Sequence, residues 1–325
     1  MNDATGLDPH QFIPAAIDTE TAAFNAQLEA LLATIPMVHT QPPAFTRAAR
    51  ESGRGIWGPL TLSELATERT IPGPAGAIML RLFIPETIEG VYLYIHGGGW
   101  VIGRAHQQDP ALERVARACN VAVVSVDYRL APEDPYPAAP DDCEAAALWL
   151  VAHARQEFGT ERIVIGGLSA GAHLSAVTLL RLRDRHGYTG FAGANLEAGA
   201  YDLSLTPSVR RWGERNLVLS TPIVQWFTDQ FVSPEQRRDP DVSPLYADLS
   251  GMPPALFTVG TLDPLIDDNL FMYTRWIAAG NAAELAVYPG GVHAFNNMTL
   301  GLAARAQARI DAFIQQAIAD HTHER

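Results

Sequence analysis

The sequence predicts an α/β fold with a mostly parallel sheet, and three observations predict it. Short apolar runs recur from about Thr67 onward, helical patterns separate most of them, and the runs are nearly continuous in Val, Ile and Tyr. Strands joined through helices run parallel, and a parallel sheet is covered on both faces, so its strands show no polar alternation. With 325 residues, 47% hydrophobic and 18% charged, the chain has material for a large core and no signature of disorder.

The first sixty or so residues stand apart from this pattern. "ETAAFNAQLEALLATI" places Phe24, Leu28, Leu31, Leu32 and Ile35 at helical spacing and stops before Pro36. The strands expected after it are "AIMLRLFIP", "VYLYIHGGG", "VAVVSVDYR", "RIVIGG", "ALFTVG" and "AELAVYPG", with one more ending at Asp202. A helix is expected from Asp141, where "DDCE" sets a capping carboxylate three residues before Glu144, to Phe158, with Gly159 closing it. Another runs from Ala170 to about His186. Between Asp202 and Ala255 lie some fifty residues that break the alternation; in "TPIVQWFTDQF" Ile223, Trp226, Phe227 and Gln230 share one face. An insertion of this kind is expected to cover a site at the carboxyl ends of the strands.

The formal net charge of −13 argues against nucleic acid or an anionic membrane surface as a partner. Cys119 and Cys143 form no metal or redox motif and read as buried free thiols. "MNDATGLDPHQ" has no basic start and no apolar core, and no run reaches membrane-spanning length, so a cytoplasmic protein is expected.

Chemistry concentrates in three places. Gly167-Leu168-Ser169-Ala170-Gly171 follows a strand and opens a helix, the setting of a GxSxG nucleophile elbow; the glycines suit a turn too tight for side chains. "YIHGGGWVIG" follows an earlier strand, and its glycines expose successive backbone N–H groups. Gly98, Gly99 and Ala170 are therefore the expected oxyanion donors. A serine hydroxyl needs a base, and His293 follows the last strand while Asp263 follows the one before it, in the order Ser169, Asp263, His293. His96 is expected to brace the glycine loop; His153 and His173 sit within helices, and His10, His321 and His323 in tails. Asp267, Asp268 and Asp202 are rival carboxylates to Asp263. Trp100, Leu168, Trp226 and Phe227 are candidates to line the pocket, and no metal or cofactor motif is present.

On "HGGGW", "DYRLAPEDPYPAAPDD", "GLSAG", "SPLYADLSGMPPALFTVGTLDPLIDD" and "GGVHAF", the chain resembles the bacterial hormone-sensitive-lipase-like esterases of the α/β-hydrolase superfamily, over roughly residues 81–319. The resemblance implies an eight-stranded sheet with a helical cap, divided as cap 1–65, core 66–202, cap insertion 203–250 and core 251–325. It also implies hydrolysis of short- to medium-chain acyl esters, no cofactor, and pairing of two copies through a sheet edge. Two departures bear on the subgroup: Leu168 stands where many members carry an acidic residue, and Ala294 where many carry glycine. "GLSAGAHLS" also resembles the elbow of arylformamidases, which keeps N-formyl amides as an alternative substrate class. The alternative from another class is a silent ligand-binding protein on the same fold.

Overall fold

The computed structural model describes residues 7–321. The first six residues of the N-terminal reading, and His323, lie outside them. One eight-stranded sheet organises the chain: β1 (Ala66–Gly73), β2 (Gly76–Phe83), β3 (Gly90–Ile95), β4 (Val121–Asp127), β5 (Ile163–Leu168), β6 (Gly193–Glu197), β7 (Ala255–Leu262) and β8 (Ala283–Val292). Their spatial order is β1-β2-β4-β3-β5-β6-β7-β8. The first two strands form an antiparallel hairpin added to β4, and every pair from β4 to β8 is parallel.

The helices are α1 (Thr19–Leu32), α2 (Pro43–Glu51), α3 (Asp109–Cys119), α4 (Ala138–Phe158), α5 (Ala170–His186), α6 (Pro207–Trp212), α7 (Thr221–Phe231), α8 (Ile266–Ala278) and α9 (Gly301–Asp320). Residues of α4, α5 and α8 fill one side of the sheet, where Leu150, Leu174 and Trp276 are buried. Leu112 of α3 and Ile310 and Ile314 of α9 fill the other. Both faces being covered explains the continuous apolar runs of β3, β4, β5 and β7. Among the described residues, no helix is long and apolar enough to cross a membrane. Cys119 and Cys143 are free and buried.

Several elements depart from the sequence reading. The α4 helix begins at Ala138, so Asp141 lies in its first turn and caps nothing. Both carboxylates of the Asp141-Asp142 pair are taken by arginines instead: Asp141 by Arg181 at 2.8 Å, and Asp142 by the backbone and guanidinium of Arg129. The strand expected to end at Asp202 ends at Glu197. Beyond it the backbone N–H groups of Tyr201 and Asp202 donate to Asp268 of α8, at 2.8 and 2.9 Å, so they are unavailable to a ladder. The edge strand β1 escapes a hydrophobic reading because its sequence, "ATERTIPG", is polar. In α1, Leu28 is buried while Leu31 is 47% exposed, so the apolar face is narrower than the spacing implied.

Arg181, on α5, ties the distant parts together. It is 3% exposed and donates to Asp141 and Glu144 of α4 and, at 2.7 and 2.5 Å, to Asp241 of the segment after α7. Removing one partner of a buried ion cluster leaves the others desolvated and uncompensated. Arg181→Met is expected to lower the unfolding free energy by about 3–5 kcal/mol, read by urea denaturation.

Candidate active site

The site is assembled at the carboxyl ends of β3, β5, β7 and β8. Ser169 follows β5 directly, with φ 59° and ψ −119°, and α5 starts at the next residue. This sparsely populated backbone conformation costs on the order of 1–3 kcal/mol and persists only where its surroundings hold it. Here the Ser169 N–H donates to the Glu197 carbonyl of β6 at 2.7 Å, and the His173 N–H donates to the Ser169 carbonyl.

The glycines flanking Ser169 have a steric cause in β3. A Cβ on Gly171 would stand 1.9 Å from the Ile95 carbonyl oxygen, and one on Gly167 would stand 2.2 Å from the same atom. The turn is tight against a neighbouring strand as well as within itself. Gly97, in the loop after β3, is also too close for a side chain: its Cβ would meet the Leu168 carbonyl at 2.7 Å. Gly98 and Gly99 both have positive φ, at 128° and 57°. Among the described residues no backbone acceptor engages the N–H of Gly98, Gly99 or Ala170.

Beneath that loop, the Tyr128 hydroxyl donates to the His96 carbonyl at 2.8 Å and the two rings stack at 4.1 Å. Burial pushes His96 down to about 4. Trp100 Nε1–H donates to His173 Nδ1 at 3.0 Å, and His173 Nε2–H donates to the Val242 carbonyl at 2.7 Å. His173 therefore joins the glycine loop, α5 and the segment after α7. Burial pushes it, too, down to about 4.

The partners of Ser169 arrive from β7 and β8. Pairing of these strands shifts register between Gly260–Tyr288 and Leu262–Val292. After the shift, Asp263 and His293 are the residues that immediately follow a paired Leu262 and Val292, and their side chains meet. His293 Nδ1 lies 2.8 Å from Asp263 Oδ2, and His293 Nε2 lies 2.9 Å from Ser169 Oγ. Because a carboxylate only accepts, the His293 proton sits on Nδ1 and Nε2 is left to accept from the serine. The other Asp263 oxygen accepts from the Leu265 N–H at 2.9 Å. Asp263 is fully buried and His293 5% exposed.

The rival carboxylates are placed elsewhere. Asp268 accepts from Tyr201, Asp202 and Thr206, Asp267 from Ser208, and Asp202 from Ser204 and Tyr246. One group no motif announced is Glu197. It is buried and accepts from Asn195 and from Asn296, three residues after His293, and burial pushes its carboxyl up to about 7. It pins the loop that carries the histidine.

Ser169 and His293 open into a cavity of about 740 Å³. Leu168, Trp100 and Phe227 line it, and Phe227 lies over Gly99, where a Cβ would come within 2.3 Å of its ring. Trp100 is 3% exposed and stacked on Phe231, so it shapes the wall more than it offers surface. Trp226 is not among the lining residues; its ring packs on Phe227. Val224, Met298 and Leu300 line the cavity without any motif marking them, as does Arg50.

The profile of the alpha/beta hydrolase fold family matches residues 92–297. The chain belongs to the α/β-hydrolase family. Within it, the likeness to hormone-sensitive-lipase-like esterases expected from the motifs holds. This α/β-hydrolase is 37% identical over 71% of its length to the carboxylic ester hydrolase LipN of Mycobacterium tuberculosis, of which the match spans 64%. It is 34% identical to carboxylesterase NlhH of the same species, over 86% of this chain and 91% of that one. A hyperthermophilic esterase from the archaeon Pyrobaculum calidifontis has a similar structure, with a TM-score of 0.81 and 30% identity, covering 91% of this chain and 98% of that one.

Ala294 follows His293 with φ 60°. In that left-handed conformation glycine, the residue the resemblance leads one to expect here, would carry no steric cost. Two predictions follow from the geometry. Gly171→Ala is expected to cost about 3 kcal/mol or more in urea unfolding, because the obstacle is backbone. Gly187→Ala, where a Cβ meets nothing within 4 Å, is expected to cost about 1–2 kcal/mol through its positive φ alone. His173 stays neutral in the fold down to about 4 but takes a proton near 6.5 when unfolded. Its contribution is thus fully present above pH 6.5 and lost as pH falls towards 4. His173→Gln is expected to be less stable at neutral pH yet to lose less stability on acidification, measured by urea unfolding across that window.

Proposed function

We propose that the protein is a serine carboxylesterase that hydrolyses short- to medium-chain acyl esters through an acyl-enzyme. The observation that carries this reading is the hydrogen-bonded line from Asp263 through His293 to Ser169, at 2.8 and 2.9 Å, on the wall of a cavity. The names of the relatives, esterases and ester hydrolases, support it.

In this mechanism Ser169 Oγ attacks the ester carbonyl while His293 Nε2 takes its proton. Asp263 holds the imidazole and stabilises the charge it gains. The oxyanion accepts from the N–H groups of Gly98, Gly99 and Ala170, each such donor being worth on the order of 3 kcal/mol. The alcohol leaves with the proton from His293, and water, deprotonated by the same nitrogen, releases the acid. With this reading goes a division of labour: the hydrolase core spans 66–202 and 251–325, and the N-terminal helices and residues 203–250 cap it. We also place the protein in the cytoplasm, a reducing setting that suits two buried free thiols.

A series of p-nitrophenyl esters from acetate to laurate tests the reading, with an N-formyl aryl amide beside it. Turnover is expected to fall with chain length and to drop at least about 10⁴-fold in Ser169→Ala. Turnover of the formamide alone would make the protein a formamidase. Full activity in Ser169→Ala would remove the serine from the mechanism.

A further inference from the structure

The reaction proposed for Ser169 leaves Arg50 without a task. Among the described residues three arginines line the cavity, Arg50, Arg54 and Arg114, and no aspartate or glutamate does. This is the reverse of the chain as a whole, which carries 23 basic and 36 acidic side chains. Arg114 is neutralised by Asp311, one of its bonds being 3.0 Å. Arg54 is exposed, and its Nε donates to Ser52 Oγ at 2.9 Å. Arg50 is partly buried, and among the described residues it has no hydrogen-bond or ion-pair partner; the Trp57 ring lies 6.0 Å from its guanidinium carbon.

The helix that carries Arg50 is held firmly on both sides of it. Arg47 donates to the Val101 carbonyl at 2.8 Å and to Glu133 at 2.9 Å, and Glu51 accepts from Gln107 at 2.8 Å and bonds His106. Arg50 is thus presented to the cavity from a fixed support. Its charge acts on His96 at the base of the glycine loop, which places it on that side of the site. Burial pulls its pKa below the usual arginine value, against smaller opposing effects of Tyr94, Tyr128 and Glu51. Leu32 of α1 and Val218, Val224 and Phe227 of the 203–250 segment, by contrast, line the cavity with apolar side chains.

We propose that Arg50 binds a carboxylate of the substrate, so that the preferred substrates are esters carrying a free carboxylate remote from the scissile bond. The inference rests on the esterase reading. Guanidinium matches carboxylate in a two-point, charge-assisted pair. The carboxylate is untouched by the reaction: water adds across the ester, and acid and alcohol leave.

Two matched pairs test it. Mono-p-nitrophenyl glutarate against p-nitrophenyl valerate puts the charge on the acyl side; 4-acetoxybutyrate against butyl acetate puts it on the alcohol side. The quantity read is the ratio of kcat/KM, charged over neutral. In one pair, which identifies the side, Arg50→Gln is expected to lower that ratio roughly ten- to a hundredfold, mainly through KM, with Arg50→Lys recovering part. A ratio unchanged in both pairs and both variants overturns the inference and leaves the esterase standing. Should the native protein hydrolyse none of the four, the esterase reading fails. Glutarate alone then decides the role of Arg50: it is expected to raise the melting temperature of the native protein and not of Arg50→Gln, and no shift in the native protein overturns it.

Discussion

The carbonyl oxygen of Ile95, the last residue of β3, is where two pieces of backbone come too close for any side chain between them. Gly167 and Gly171, on either side of Ser169, both lie against it, and Gly97 in return lies against the carbonyl of Leu168. Parallel pairing of β3 with β5 carries through to Ile95–Gly167, so the strands deliver the glycine loop and the serine turn to the same place. Gly98, Gly99 and Ala170 are carried by these two turns. A methyl group at Gly167 or Gly171 would part the two turns.

The opposite half of the site depends on a defect in pairing. Had β7 and β8 kept one register to their ends, the residues following them would not lie level; the shift after Gly260 makes Leu262 and Val292 partners and sets Asp263 beside His293. Buried polar groups then hold the assembly. Glu197 and Asn296 fix the histidine loop, His173 links the glycine loop through Trp100 to Val242, and Arg181 binds the same segment through Asp241. Each is satisfied by partners from elements far apart in sequence, and so each ties the site to the packing of the whole domain.

Polarity divides the cavity as well. An apolar wall suits an acyl or alcohol chain, while the wall by α2 holds cationic side chains with no carboxylate among them. On the proposed reading, one charge and one apolar contact would orient a substrate with the reacting carbonyl between them.

Legibility in the sequence followed how local each cause is. Strands β3, β4, β5 and β7 announce themselves because burial on both faces forces continuous apolar runs, whereas edge strand β1 is polar and short β6 is masked by the turn that follows it. The helix closures at Gly159 and Gly187 are legible because a left-handed residue is a local demand that glycine answers. The start of α4 is not, because the carboxylates resembling a cap are claimed by Arg129 and Arg181 from elsewhere. Ser169, Asp263 and His293 could be singled out since each directly follows a readable strand, and strand ends in a parallel sheet share one edge. Trp226 shows the limit: helical spacing places Trp226 and Phe227 near one face, but which ring meets the cavity depends on how α7 is set down. By itself, the sequence determined the α/β architecture, the glycine-flanked turn at Ser169 and the strand ends that carry Asp263 and His293, all consequences of local sterics and of burial. Only the tertiary structure decided that Arg50 faces the cavity and what sort of molecule the cavity can hold, because a cavity is the space left between elements that have no contact along the chain.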